Sequence, residues 1–362
     1  MRGSEKISTL GGHGPYSATG GRCYNEGAMI RQLYVLTLAA AVATATLAAQ
    51  QPAAPSAPQP AAPPQANNAP LPAQDSDLAV DVNAPVIKIG VNEVNLIFTV
   101  TDKHGRYNPN LQLHDFALLD DQKAPAHVTS FHQQINLPLR VGILIDTSSS
   151  IHSRFQFEQQ AASEFLLQIL KARSDRAFVM GFDVTPNIVA DWSNNLDALG
   201  TGINRLKPGG GTALYDAVYT ACRDKLQDAS RGQEPVRKTI ILLSDGEDDQ
   251  SRVYLGEAIK ACQRSETIIY AISTNWTPSR GAGDKVMEQL ANETGGQSFF
   301  PPSVEDISKS FTDIQEELRS QYALTYSPAD FKTDGAFRPI YLYCNDRRFV
   351  VRARKGYFAP RQ

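Results

Sequence analysis

The chain has 362 residues, a formal net charge of −3 and 42% hydrophobic residues. That length allows two or three domains, the charge argues against a nucleic-acid-binding surface, and the apolar content excludes wholesale disorder. Four Cys in a chain of this size exclude a disulfide-built scaffold.

The amino-terminal part is an address followed by a tether. Arg31 precedes an apolar stretch from Leu33 to Leu47, with small residues after it at Ala43-Thr44-Ala45 and Thr46-Leu47-Ala48. A positive flank, an apolar run and small residues in that order predict a secretory signal over residues 1–48. The run is short for a membrane span, which needs ~20 residues; an uncleaved single-pass anchor is the alternative. Met29-Ile30-Arg31 makes an ordinary signal start, whereas the Gly/Ser-rich residues before it do not, so Met29 is the expected true start. Without residues 1–48 the formal charge is −5, which suits a soluble exported protein, periplasmic, envelope-associated or secreted. Three Cys then remain, Cys222, Cys262 and Cys344. Cys222 and Cys262 fall on successive predicted helices and are able to pair; buried free thiols are the simpler expectation.

Residues 49–80 follow as an Ala/Pro-rich linker, with eight of the 22 Pro between Pro52 and Pro72. Such density favours polyproline II, a semi-rigid spacer of about 3.1 Å per residue. Residues 86–137 then read as a β-rich segment: 91–102 alternates and is rich in Val, Ile and Phe, and 115–133 holds two short strands. From 138 to 320 the pattern becomes strand–helix–strand. LRVGILID (139–146), DRAFVMGFD (175–183), KTIILLSD (238–245) and TIIYAIST (267–274) are continuous apolar runs of the kind buried parallel strands show. NIVADW (187–192) is a hairpin partner, and GGQSFF (295–300) a last short strand. Helices are predicted over 153–171, 195–206, 212–226, 252–264, 283–294 and 303–320. Residues 321–362 return to strands, at 321–328, 337–344 and 349–359. The predicted fold is α/β: a Rossmann-like, doubly wound, mostly parallel sheet, inserted in a small β-sandwich-like domain of about six strands that both flanks build together.

Three pieces lie at the carboxyl ends of the predicted parallel strands, where such sheets bind ligands. Asp146, Ser148 and Ser150 follow the first strand at every second residue. Thr212 follows the run Gly209-Gly210-Gly211. Asp245 ends a later strand and precedes Gly246. Two carboxylates and three hydroxyls are hard oxygen donors. They suit Mg²⁺, which takes octahedral oxygen and commonly only one or two carboxylates; no thiolate or imidazole lies nearby to favour zinc or copper. A carboxylate from outside would complete such a shell. Ser148 or Ser150 as a nucleophile lacks a base and a G-x-S-x-G elbow. The acidic run Glu247-Asp248-Asp249 reads as a solvated loop, and Asp216 as either a helix residue or a bond back to the metal loop. His152 beside the metal loop reads as an exposed helix-start residue.

The Asp-x-Ser-x-Ser triplet, the Thr after a Gly-rich loop and the strand-ending Asp-Gly resemble the metal-ion-dependent adhesion site of von Willebrand factor type A domains, and all five positions match. The resemblance covers residues 138–320. NLIFTVTDKHGR before it and RFVVRARKGYFAP after it resemble a bacterial, exported subset of that family. The resemblance implies a Rossmann-like fold, Mg²⁺ or Mn²⁺ binding and a protein ligand. It also implies that Ser148, Ser150 and Thr212 touch the metal directly, and Asp146 and Asp245 directly or through water. The expected function is a non-enzymatic binding module that captures a partner's Asp or Glu through the ion. A structural or envelope-assembly protein in which metal only stabilises the domain is the alternative. A metal-dependent hydrolase is a second one, for which no base can be named.

Overall fold

The computed structural model describes residues 92–361, apart from 135–136, 154, 172, 230–235, 276–278 and 304. The expected signal and linker lie outside the described residues.

A six-stranded sheet organises the α/β part. Its middle strand is β4 (Leu139–Asp146), flanked in parallel by β5 (Arg176–Phe182) and β7 (Arg237–Ser244). Beyond β7 come β8 (Ile268–Ser273) and the short β9 (Ser298–Phe299); beyond β5 comes β6 (Pro186–Ser193), the one antiparallel strand, so the order is β6-β5-β4-β7-β8-β9. Every residue of β7 and β8 is buried, which is why these strands read as unbroken apolar runs rather than alternating ones.

Helices cover both faces. α1 (Phe155–Ile169), α2 (Leu196–Arg205) and α6 (Glu305–Arg319) pack on one face, where Val141, Ile143 and Ile145 of β4 point. α3 (Leu214–Thr220), α4 (Leu255–Arg264) and α5 (Ala282–Thr294) pack on the other, against Leu144. Each such fully buried aliphatic side chain stabilises the fold by roughly 1.5–3 kcal/mol of transfer free energy. The helix expected over 212–226 begins at Leu214 and changes to a π turn over Ala221–Leu226. Cys222 in that turn is disulfide-bonded to Cys262 on α4, with Cα atoms 4.9 Å apart. This corrects the expectation of free thiols: α3 and α4 pack side by side, and a sequence separation of 40 residues does not reveal that juxtaposition. Cys344 is free and buried.

Seven further strands form two antiparallel sheets. β1 (Val94–Asp102), β3 (His127–Gln134), β10 (Gln321–Ser327) and β12 (Phe349–Ala353) pair in the order β12-β1-β10-β3; β2 (Phe116–Asp120), β11 (Phe337–Cys344) and β13 (Gly356–Phe358) pair as β13-β11-β2. Each sheet joins strands from before and after the α/β part, with Phe98 opposite Tyr322 and Leu118 opposite Leu342. The α/β part leaves from β3 and returns in β10, two neighbouring strands. The sheets face each other across an aromatic cluster of Phe98, Phe116, Phe131 and Tyr322, with ring centroids 5.2 to 6.4 Å apart. One difference from expectation is the tail. Residues 349–359 are two strands, β12 and β13, that serve different sheets, because the chain crosses the sandwich at Arg354-Lys355.

The other face of β1 meets α6. Glu317 of α6, fully buried, accepts from Thr99 Oγ1 at 3.0 Å and from the Arg352 guanidinium at 2.7 Å. Tyr107 donates to the same carboxylate at 3.4 Å.

Candidate metal centre

The chain leaves β4 through α1 to β5 on one side and reaches β7 on the other. The crevice between the carboxyl ends of β4 and β7 is therefore the switch point where an open α/β sheet binds ligands. Asp146 ends β4, and Asp245 immediately follows β7.

Asp146 is fully buried. Its Oδ1 accepts from the Ser148 amide at 2.8 Å, an Asx-type turn that folds the chain over the strand end. Its Oδ2 accepts from Ser244 Oγ at 2.6 Å. The Ser148 and Ser150 hydroxyls lie 3.0 Å apart, and Ser150 Oγ donates to Asp245 Oδ2 at 2.7 Å. Ser244, Asp146, Ser148, Ser150 and Asp245 thus form one continuous polar chain across the two strand ends. Ser244 was not legible as part of it. It closes a strand of buried residues, and only the pairing of β7 with β4 brings its hydroxyl to the carboxylate.

The glycine loop that precedes Thr212 is docked on the loop that follows β4. Gly209 donates its amide to the Thr147 carbonyl at 2.7 Å, and the Gly210 carbonyl accepts from both the amide and the hydroxyl of Ser149, at 3.1 and 2.8 Å. Gly210 has a φ of +87°, a conformation that glycine adopts without steric penalty. Thr212 is 7% exposed; among the described residues no hydrogen bond joins its hydroxyl to the other four side chains. The Asp-Gly pair has its own reason. Gly246 has a φ of +81°, and a Cβ there would stand 2.2 Å from the Gly283 carbonyl oxygen.

The acidic run is exposed at Glu247 and Asp249 and half-buried at Asp248, as expected of a solvated loop, and its carboxylates also hold backbone amides. Asp249 Oδ1 accepts from the Thr212 amide at 2.7 Å, Asp248 Oδ1 from the Tyr215 amide at 3.2 Å, and Glu247 Oε1 from the Gly283 amide at 3.2 Å. Asp216 Oδ1 in turn accepts from the amides of Arg252 and Val253, both at 3.0 Å. Asp248, Asp249 and Asp216 sew the 247–253 loop to the start of α3, Glu247 ties it to α5, and Asp216 bonds that loop rather than the loop after β4. His152 is exposed.

The donor set fits a hard cation on its own chemistry. Burial pushes the Asp146 carboxyl up to about 6; hydrogen bonds from Ser244 and Ser148 pull it down, and the neighbouring Asp245 charge adds to the rise. The hydrogen bonds it receives come from neutral groups, and the charge that acts on it has its own sign. A buried carboxylate so placed beside a second carboxylate and three hydroxyls is an arrangement that a divalent cation would balance. Among the described residues no group of three His, Cys, Asp or Glu side chains converges anywhere; the candidate site itself has two carboxylates, and its remaining donors are hydroxyls.

The α/β part is similar to known proteins. Residues 141–317 match the family model of the von Willebrand factor type A domain. The chain is 30% identical over 166 residues to von Willebrand factor A domain-containing protein 3B of Homo sapiens, covering 44% of this chain and 11% of that protein. It is 21% identical over 202 residues to a UPF0353 protein of Mycolicibacterium gilvum (strain PYR-GCK), covering 49% of this chain and 60% of that one. It therefore spans less than two thirds of either relative. Among solved structures, the vWF domain of the type V pili tip protein Mfa5 from Porphyromonas gingivalis aligns over 51% of this chain and 96% of its own, at 14% identity and a TM-score of 0.42. Residues 141–317 are therefore a von Willebrand factor type A domain.

Proposed function

We propose that this protein is an exported binding module that captures an acidic side chain of a partner protein through a divalent cation, Mg²⁺ or Mn²⁺. Asp146, Ser148, Ser150, Thr212 and Asp245 would hold the ion. When bound, the cation supplies an electrophilic position that a partner's Asp or Glu carboxylate can complete. The protein's part is to hold the oxygens in place. Asp146 is fixed by Ser148 and Ser244, Ser150 is tied to Asp245, and the glycine loop is locked onto Ser149. The observation that carries this reading is the buried Asp146, which receives only neutral hydrogen-bond donors beside a like-charged neighbour. The domain family supports a protein ligand. The Cys222–Cys262 disulfide supports an oxidising compartment, since such bonds persist outside the reducing cytosol.

The test is capture of envelope proteins from the source cell on the immobilised chain, with Mg²⁺ or with EDTA. Capture in Mg²⁺ that EDTA and Thr212→Ala both abolish is the expected result. Capture that survives EDTA unchanged overturns the metal bridge.

A further inference from the structure

A cleft lies at the end of the sheet away from Asp146 and Asp245. α4 runs back from the metal end, so its last turn, with Gln263 and Arg264, sits beside the start of β8. There it meets the carboxy-terminal strand β13, and between them opens a cleft of about 550 Å³. That volume falls within the ~300–1,000 Å³ typical of ligand pockets.

The charges around the cleft do not cancel. Its acidic side chains are both engaged. Glu266 is paired with Arg354 at 2.9 Å, and Glu93 accepts from the Thr129 hydroxyl at 2.7 Å. Arg354 is spent on that pair and on the Asn95 carbonyl at 2.8 Å. Arg264 and Arg361 are exposed, and among the described residues neither has a carboxylate partner. Arg264 lies with its guanidinium 4.2 Å from the centre of the Phe358 ring, which fixes its plane and leaves its in-plane N–H donors for another group. Arg361 also lines the cleft, and its backbone bridges to Asp334. Arg264, Arg354 and Arg361 set against Glu93 and Glu266 leave the lining one net positive charge, a local departure from the net charge of −3 of the chain, and the fork geometry of Arg matches carboxylates.

We infer that this cleft binds an acidic peptide segment of a partner, with Arg264 and Arg361 as its two anchors, and that it does so without metal. The site is independent of the metal centre, and its occupant would be held at the opposite end of the α/β part.

The experiment is fluorescence anisotropy of fluorescein-labelled hexa-aspartate titrated with the full chain in EDTA, so that the metal centre cannot contribute. Saturable binding that weakens with added salt is expected, together with a loss of about tenfold or more in the Arg264→Gln/Arg361→Gln variant. Both positions are exposed, and circular dichroism checks that the variant is folded. Asp146→Ala is expected to bind the probe as the parent does, which separates this site from the metal centre. Absence of binding in EDTA, or equal binding by the double variant, overturns the inference. So does binding of inorganic polyphosphate with none of hexa-aspartate, which would mark a phosphate site instead.

Discussion

Asp146 and Glu317 are both fully buried, and the protein treats their charges in opposite ways. Glu317 sits where α6 meets the β-sandwich and is neutralised from within. Arg352 pairs with it at 2.7 Å while Thr99 and Tyr107 donate to it. Asp146 sits at the switch point of the sheet and receives only an amide and two hydroxyl-bearing neighbours, with Asp245 nearby. One carboxylate is part of the architecture; the other, under the proposed function, is available to a cation. Burial alone therefore says little about role. What separates a structural acid from a ligand-holding one is whether the protein supplies the opposite charge.

The comparison breaks most sharply at Glu317. Arg352→Ala leaves a buried carboxylate without its cation, and such losses cost about 3–5 kcal/mol. Urea unfolding at neutral pH should show a drop of that size. A drop below about 1 kcal/mol would mean that Glu317 is as independent of its partner as Asp146 is, and the contrast would fail.

The Cys222–Cys262 disulfide is the next largest effect. It ties the π turn after α3 to α4, and both elements belong to the layer that carries Thr212 and the 247–253 loop. Replacing both Cys by Ala should cost about 2–4 kcal/mol, mainly by freeing the unfolded chain. Unfolding of the parent with and without a reductant, beside the double Ala variant, checks this. Equal stability of all three would show the bond to be dispensable.

The same contrast explains what could be read in the sequence. The buried parallel strands were legible because LRVGILID and TIIYAIST are apolar throughout, and the metal-centre residues because they follow such strands at fixed spacing. The partners that hold them were not. Ser244 looks like one more strand residue. Glu247, Asp248 and Asp249 read as a solvated acidic run, which they are, but their amide partners at Gly283, Tyr215 and Thr212 lie far away in the chain and could not be read. Glu317 looks like one of several polar residues on an amphipathic helix. The disulfide was open for the same reason: pairing depends on which helices pack side by side. Local pattern encodes element and spacing, whereas neutralisation depends on contacts between distant segments.

Metal binding sharpens the comparison from the other side. A ligand that binds only the native state at a hundred times its Kd stabilises by about 2.7 kcal/mol. Mg²⁺ should raise the Tm of the chain accordingly, and the rise should vanish in Asp146→Asn. An equal rise in that variant would place the ion elsewhere.

The smallest predicted effect follows from the sign of the Asp146 shift. Its carboxyl is raised from 3.8 to about 6 in the folded protein. The stability this contributes is fully present below the unfolded value and is lost as pH rises through about 6, where the ionised form must be accommodated in its buried place. In EDTA, the parent should therefore weaken relative to Asp146→Asn between pH 4 and 7. One pKa unit is about 1.4 kcal/mol, which bounds the difference near 3 kcal/mol. The weaker acceptor strength of the Asp146→Asn amide toward Ser148 and Ser244 is a constant offset at every pH, so the change between pH 4 and 7 is about 2 kcal/mol. The measurement is the difference in unfolding free energy between the two proteins across that range. It removes the titration of every group they share. With Mg²⁺ present the sign should reverse above pH 6, because the ionised carboxylate that burdens the metal-free protein is the form that holds the ion. Parallel pH profiles in EDTA would mean that Asp146, like Glu317, is already balanced by the protein.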